Sequence, residues 1–360
     1  MALYGTIDTQ YVDFPAGIDR TYLQGLETRS GLSVAAMIAA VDAAMGAIND
    51  GVDPLVAELS APPTTQVSAM GSRGDAFRVQ RKSEYSLPRP QQVERRGHML
   101  ALASYDVSLG FTDDGLEEIS LDAFRENIRA MQLGWERAFR RETLIRLFDA
   151  AEVPIDKDQS ATSPGFLGSG TGSNTITGYY SNGSAISGSH YVRDTAANRL
   201  AAILAQRAKL KLAGILGPYD LVGSQVFIDA VVALGLPNFI SAGSELVRVG
   251  SGTAEALVDA GRFVGVLAGD IRVRMPVTDF IEDAGVLFKS FGQFAADNPL
   301  VMRYDTLWGR QVRVRARSNH YPLSEAVAAA KFGMNVNNRF GGAPILIAAA
   351  GAYVAPVMLT

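Results

Sequence analysis

Between Ser120 and Ala150 apolar residues recur at threes and fours: Leu121, Phe124, Ile128, Met131, Trp135, Ala138, Ile145 and Phe148. Arg125, Glu126, Arg129, Glu136, Arg137, Arg140, Arg141 and Glu142 fill the intervening positions, and no proline interrupts the run. This spacing predicts an amphipathic helix with Phe124, Ile128, Met131, Trp135, Ile145 and Phe148 as its core stripe. A helix of about 30 residues is ~45 Å long, against ~11 residues for the usual globular helix, so it reads as a strut across the molecule or a coiled-coil element. Shorter helices are expected at Leu32–Ile48, with Ser30 or Ser33 to cap it and Gly51 to stop it, and at Asp194–Ala213, with Asp194 as N-cap and Gly214 past its end.

Period-two patterns place the strands. Thr64 to Gly110 reads as a long hairpin, with Thr65, Val67, Ala69, Phe77 and Val79 going out and Leu100, Leu102, Tyr105, Val107 and Leu109 returning. The phase slip near Ala103 predicts a bulge. Asp53–Pro63 reads as a turn region, and residues 1–30 as an extended arm punctuated by Gly5, Pro15, Gly17 and Gly25. Ser160–Ser189, rich in Gly, Ser, Thr and Asn, predicts a long loop with one short strand at Asn174–Tyr180. An α/β-like succession follows: strand Tyr219–Val222, helix Gln225–Leu234, one or two strands in Phe263–Met275, and strands at Val286–Ser290, Met302–Tyr304 and Gln311–Ala316. A short helix at Leu323–Ala330 and a closing strand region complete the expectation. The apolar run Ala343–Leu359 is broken by Pro344, Gly351 and Pro356, so buried strands fit it better than a membrane span.

Charge adds a second layer. Arg73, Arg78, Arg81, Lys82, Arg89, Arg95 and Arg96 place seven cations against three anions at the hairpin tip. Asp113, Asp114, Glu117 and Glu118 open an acidic stretch directly after the hairpin. The two stretches could neutralise one another between copies of the chain, or each could be a solvated charged face. Arg313, Arg315 and Arg317 alternate with Val312, Val314 and Ala316, and Arg272 and Arg274 alternate with Ile271, Val273 and Met275. Such alternation predicts a basic sheet face over an apolar one, able to meet acidic residues of a neighbour, to touch nucleic acid without reading sequence, or simply to face solvent. The net charge of −4 argues against a dedicated nucleic-acid binder.

Candidate chemistry is sparse. Without cysteine there are no disulfides, thiolate metal sites or cysteine nucleophiles. His98, His190 and His320 share no spacing with a carboxylate motif, and no G-x-S-x-G elbow occurs. Gly165–Asn174 superficially resembles a phosphate loop, but Ser173-Asn174 stands where Lys-Ser or Lys-Thr belongs. Asp113-Asp114 with Glu117-Glu118 read better as a solvated helix start than as an acid/base pair. No catalytic residue, cofactor or metal is expected. The opening residues show no leader pattern, so synthesis in the cytosol is expected.

The order of parts, together with the wording PYDLVGSQVFIDAVVAL (Pro218–Leu234), VLAGDIRVRMP (Val266–Pro276), LWGRQVRVRA (Leu307–Ala316) and FGMNVNNRFGGAPI (Phe332–Ile345), resembles the shell fold of tailed-phage major capsid proteins and encapsulins. The resemblance implies an α+β shell fold laid out as an N-terminal arm with a short helix (1–63), an extended hairpin loop (64–112), a peripheral domain with the spine helix 120–150 (113–194), a mainly axial domain (195–330) and a peripheral return (331–360). It implies a non-enzymatic role: self-assembly into pentamers and hexamers of an icosahedral shell around double-stranded DNA, in a virion assembled in the host cytoplasm. The implied partners are further copies of the chain, a separate scaffolding protein, a portal and decoration proteins, with no membrane. Lys82 with Asn337 or Asn338 could supply the atoms of an intersubunit isopeptide bond, although no assisting carboxylate is identifiable. An encapsulin-like cargo shell, and an α/β enzyme using the Gly165–Asn174 loop, stand as alternatives.

Overall fold

The computed structural model describes residues 9–14, 19–51, 54–66, 68–72, 95–110, 115, 118–148, 153–154, 162–163, 178–179, 185–186, 192–194, 198–212, 214–236, 238–242, 263–276, 280–281, 283–289, 298–305, 312–316, 325–338 and 341–347. The chain divides into two units, each built from three separate segments.

The first unit comprises Met1–Val56, Leu102–Arg141 and Arg303–Gly333. After the short helix α1 (Arg20–Gln24), capped by the Asp19 carboxylate, its hub is α2 (Val34–Asp50), which buries Val34, Met37, Ile38, Val41, Ala44, Met45 and Ile48. Ser33 sits at the N-cap position without making a side-chain cap bond, and the Gly51 amide closes the helix on the Ala47 carbonyl. The stretch Val34–Leu59 has the length and mean hydropathy, 1.2, of a membrane span. Its polar residues are nevertheless used inside the protein: Asp42 accepts the Tyr11 amide at 2.6 Å, and the Asn49 side chain pairs with both backbone groups of Val312. α2 is therefore a core helix. Part of the expected extended arm, β1 (Val12–Asp13), pairs in parallel with β17 (Arg313–Ala316) of its own chain.

The expected helix at Leu323–Ala330 is instead a strand, β18 (Glu325–Val336). Alanine has the highest helix propensity, but propensity yields to tertiary context, and here Ala326, Ala328, Ala330, Phe332, Met334 and Val336 are all buried on a period of two. β17 and β5 (Ala103–Gly110) flank it over Ala326–Ala329. The long helix α4 (Leu121–Phe148) meets this sheet through Phe139, whose ring lies 4.6 Å from that of Phe332; Phe332 in turn stacks on Tyr105 at 4.4 Å. α4 spans 28 residues, about 42 Å.

The second unit comprises Ala57–Ala101, Glu142–Met302 and Met334–Thr360. It takes in the second half of α3 (Pro54–Leu59), which occupies the expected turn region together with β2 (Ser60–Thr64). β3 (Ser68–Ser72) and β4 (Arg95–Met99) form the hairpin. The two-residue strands β6 (Val153–Pro154), β7 (Thr162–Ser163), β8 (Gly178–Tyr179) and β9 (Ala185–Ile186) pair locally. The core of the unit is a seven-stranded mixed sheet in the order β10-β19-β15-β11-β14-β13-β12. Its strands are β10 (Val192–Asp194), β11 (Tyr219–Gly223), β12 (Phe239–Ser241), β13 (Phe263–Leu267), β14 (Ile271–Arg274), β15 (Ala284–Lys289) and β19 (Gly342–Ile347). Asp194 thus ends a strand, and helix α5 (Arg199–Leu212) starts five residues later than expected. Gly214, at φ +86, ends it with the paired bonds Gly214 N–H to Lys211 O and Ile215 N–H to Leu210 O.

α5 and α6 (Gln225–Val232) cover one face of this sheet, where Ile203, Leu210, Phe227, Ile228 and Val231 pack with Tyr219, Leu221, Ile271, Val273, Leu287 and Ile345. Gly223 and Gly285 are cross-strand partners. The slot they leave holds the Phe227 ring, since a Cβ at Gly285 would lie 2.5 Å from it and one at Gly223 2.6 Å. Ser224 caps α6 through the Phe227 amide, at 3.1 Å.

Candidate functional site

Alternation on β11 and β14 sends Tyr219, Leu221, Ile271 and Val273 to the helix-covered face, and Asp220, Arg272 and Arg274 to the other. Parallel pairing sets Asp220 directly beside Arg272. The Arg272 guanidinium donates to both Asp220 oxygens, at 2.8 and 3.0 Å. Arg274 reaches the same carboxylate at 2.7 Å and also donates to both oxygens of Glu58 on α3, at 2.9 and 2.8 Å. The Asp220 side chain is only 3% exposed, and those of Arg272 and Arg274 18% and 12%. Burial disfavours the Arg274 charge, but its hydrogen bonds to Glu58 and the field of Asp220 outweigh it and move its pKa up. This part of the arginine face is thus neutralised inside the chain and ties the segment leading to the hairpin onto the sheet.

The hairpin's root lies a few residues further on. On the outgoing side the Ser60 carbonyl accepts the Asn298 side-chain amide at 2.6 Å, and the Asn298 carbonyl in turn accepts the Asn337 side chain at 2.9 Å. On the returning side the wholly buried Asn335 side chain accepts the Ala101 amide at 2.7 Å and donates to the Ala101 carbonyl at 3.0 Å. Between the two legs Ala61, Leu100 and Val301 form a small apolar cluster, with Val301 supplied by β16 (Leu300–Tyr304). The expected bulge near Ala103 is a change of partner: β4 ends at Met99 paired with β3, and β5 begins at Ala103 paired with β18. Asn335 of the FGMNVNNRF phrase, read from sequence only as wording, holds this changeover.

A second charged group sits at the α5 end of the unit. Asp270, in the β13–β14 turn, pairs with Arg207 and with Lys211 at 3.4 Å. Burial pushes the Tyr219 hydroxyl above its ordinary range, Asp270 adds to this, and the hydroxyl donates to the Ile215 carbonyl at 2.7 Å. Burial likewise lowers the pKa of Lys209. Among the described residues no group of three or more His, Asp or Glu could hold a metal ion.

Of the hairpin cations, Arg73, Arg78, Arg81, Lys82 and Arg89 lie outside the described residues, while Arg95 and Arg96 belong to β4. Asp113, Asp114 and Glu117 also lie outside them; Glu118 pairs with Arg29 at 2.8 Å, both side chains being well exposed. Phe124, Ile128, Met131, Trp135 and Phe148 are buried, whereas Ile145 is half-buried between the buried Leu144 and Leu147. Arg313 lies 3.8 Å from Asp13, Arg315 is exposed, and Arg317 lies outside the described residues. The two arginine alternations belong to different sheets. Gly165–Asn174 and His190 and His320 lie outside the described residues as well, and His98 is in β4. Five of the nine exposed large apolar side chains among the described residues fall between 212 and 236: Leu212, Leu216, Val226, Val232 and Leu236.

No protein-family model matches the chain, and no curated protein does. Among solved structures, one from Mycobacterium phage Patience is similar at a TM-score of 0.58 and 18% identity, over 91% of this chain and 92% of that one. The capsid of an empty GTA particle gives 0.46 at 16% identity, over 82% and 90%. A virus-like particle from Pyrococcus furiosus gives 0.41 at 10%, over 85% and 98%. The Patience structure alone carries the conclusion on fold: this chain has the α+β fold of a phage protein along nearly its whole length, and the resemblance read from sequence stands at that level.

Proposed function

We propose that this chain is a major capsid protein of a tailed phage, a non-catalytic subunit whose copies close into an icosahedral shell of pentamers and hexamers around double-stranded DNA. The observation that carries the reading is a fold shared with a phage structure over 91% of this chain and 92% of the other. The exposed apolar side chains between Leu212 and Leu236 are of the kind that association covers. In this reading the cations at 73–96 meet the acidic residues 113–118 of an adjacent copy. A separate scaffolding protein guides assembly in the host cytoplasm, and portal and decoration proteins complete the virion.

Electron microscopy and sedimentation of the expressed chain, alone and with the candidate scaffolding protein, test this. Closed particles in the megadalton range support the proposal; a small oligomer under both conditions overturns it. Shells that enclose an enzyme and no DNA in the native host would instead show a cargo compartment. The triple variant Arg78→Glu, Arg81→Glu, Arg89→Glu is expected to block closure while leaving the circular dichroism unchanged. Normal shells from that variant would remove the hairpin from the assembly contacts.

A further inference from the structure

We infer that Asn335 is a positioning residue that fixes where the returning leg of the hairpin leaves the second unit, and through it the geometry in which copies of the chain join; this rests on the shell reading above. At Ala101 the chain quits the β3–β4 pairing and has not yet entered the β5–β18 pairing, so its backbone N–H and C=O need other partners. Asn335 supplies both from one side chain, at 2.7 and 3.0 Å, in a spot where both residues are shielded from water. Only one orientation of the amide satisfies the pair, because the oxygen must face the N–H and the nitrogen the C=O. The contact therefore sets direction as well as distance. A rotated backbone at Ala101 would lose both bonds at once.

The neighbouring contacts hold both legs at the root, by different means. Leu100, next to the clamp, is wholly buried against Ala61 and Val301. The outgoing leg is held by the pairing of β2 with β16, by Asn298 at Ser60 and by Glu58 through an ion pair whose carboxylate side chain is 33% exposed. A buried neutral amide is insensitive to salt and pH, whereas a partly exposed ion pair is screened. A change of ionic conditions thus acts on the Glu58 contact and leaves the Asn335 contact unchanged. Position 335 also requires an amide in particular. Aspartate has the same shape but cannot donate to the Ala101 carbonyl and would set a carboxylate oxygen against it.

The test compares the full-length wild type with Asn335→Asp, and with Asn335→Ser as a milder variant whose shorter side chain offers one hydroxyl in place of the separate amide oxygen and nitrogen. Three readouts are taken: circular dichroism for folding, hydrogen exchange at Ala101 and β4, and the diameter distribution of assembled particles. The expected result for either folded variant is exchange at Ala101 and β4 at least tenfold faster, unchanged exchange in β11, β14 and β15, and a broadened or shifted particle diameter. A purely structural role for Asn335 would lower yield without changing particle diameter. Folded variants with wild-type exchange, or with altered exchange but wild-type particle diameters, overturn the inference. If the wild type forms no shells, the capsid reading fails, and exchange at Ala101 still decides whether the clamp fixes the root.

Discussion

Removing the charge of Asp220 while keeping its shape, as Asp220→Asn, should loosen the second unit's sheet by an amount that the burial sets. The carboxylate receives three hydrogen bonds from two guanidinium groups at 2.7–3.0 Å and is 3% exposed. Breaking a buried pair by deleting one partner costs about 3–5 kcal/mol, because the surviving charge stays desolvated. Arg274 retains both oxygens of Glu58, so the loss falls mainly on Arg272 and the lower end of that range, about 3 kcal/mol, applies. At ~1.36 kcal/mol per decade this is about two decades in the local opening equilibrium. Amide exchange in β11 and β14, followed by mass spectrometry on the unassembled chain, should therefore quicken roughly 150-fold, with β17 and β18 unaffected. The double variant Asp220→Leu, Arg272→Met should recover most of the loss, since apolar residues of similar volume can replace a buried pair at little cost. An acceleration below fivefold for Asp220→Asn would refute the reasoning. It would mean the network behaves like the exposed Arg29–Glu118 pair, whose kind contributes roughly 0–1 kcal/mol.

Two further outcomes follow from the same sheet. Tyr219 has its pKa raised in the folded chain by burial and by Asp270, so the fold holds that proton more tightly than the unfolded chain does. The stability this contributes is fully present below the ordinary tyrosine pKa near 10 and is lost as pH rises through the higher folded value; Tyr219→Phe should flatten the alkaline limb of a denaturation-midpoint profile and cost about 1 kcal/mol at neutral pH for the lost bond to Ile215. Gly285→Ala places a methyl group 2.5 Å from the Phe227 ring, and should destabilise the unit by about 1–3 kcal/mol in urea denaturation, with recovery when combined with Phe227→Leu.

Where one physical signal dominated, the sequence was legible. The spacing of Phe124, Ile128, Met131 and Trp135 marked α4, and its bounds moved by only a residue or two. The alternation of Arg272 and Arg274 with Ile271 and Val273 marked β14 and the face of each side chain. Partners were not legible. Nothing in the sequence joins Asp220, on a neighbouring strand, or Glu58, 216 positions away, to Arg274, so a neutralised cluster read as a basic surface. The β18 error had a visible remedy. EAVAAAKFGMNV carries a period of two in Ala326, Ala328, Ala330, Phe332 and Met334, but alanines alone hide it, because a small apolar residue marks a buried position no better than an exposed one. The slip at Ala103 was real and misassigned: a phase change reports that pairing is interrupted, without saying whether the strand resumes with the same neighbour. Asn335 escaped notice because asparagine is usually a turn residue, and only the unpaired backbone of Ala101, 234 positions distant, gives it a task.

Both units are discontinuous in the chain, and this constrains when they can form. β18 lies between β17 and β5 in the first, and β19 between β10 and β15 in the second; these central strands end at Val336 and Ile347. A ribosome adding roughly 5–20 residues per second thus displays α2, α4 and the unpaired edge of β15 for some seconds before either sheet can be completed. The nascent polypeptide carries that apolar surface until its last strands emerge, so translation speed and chaperone access bear on how much of the chain reaches the folded state.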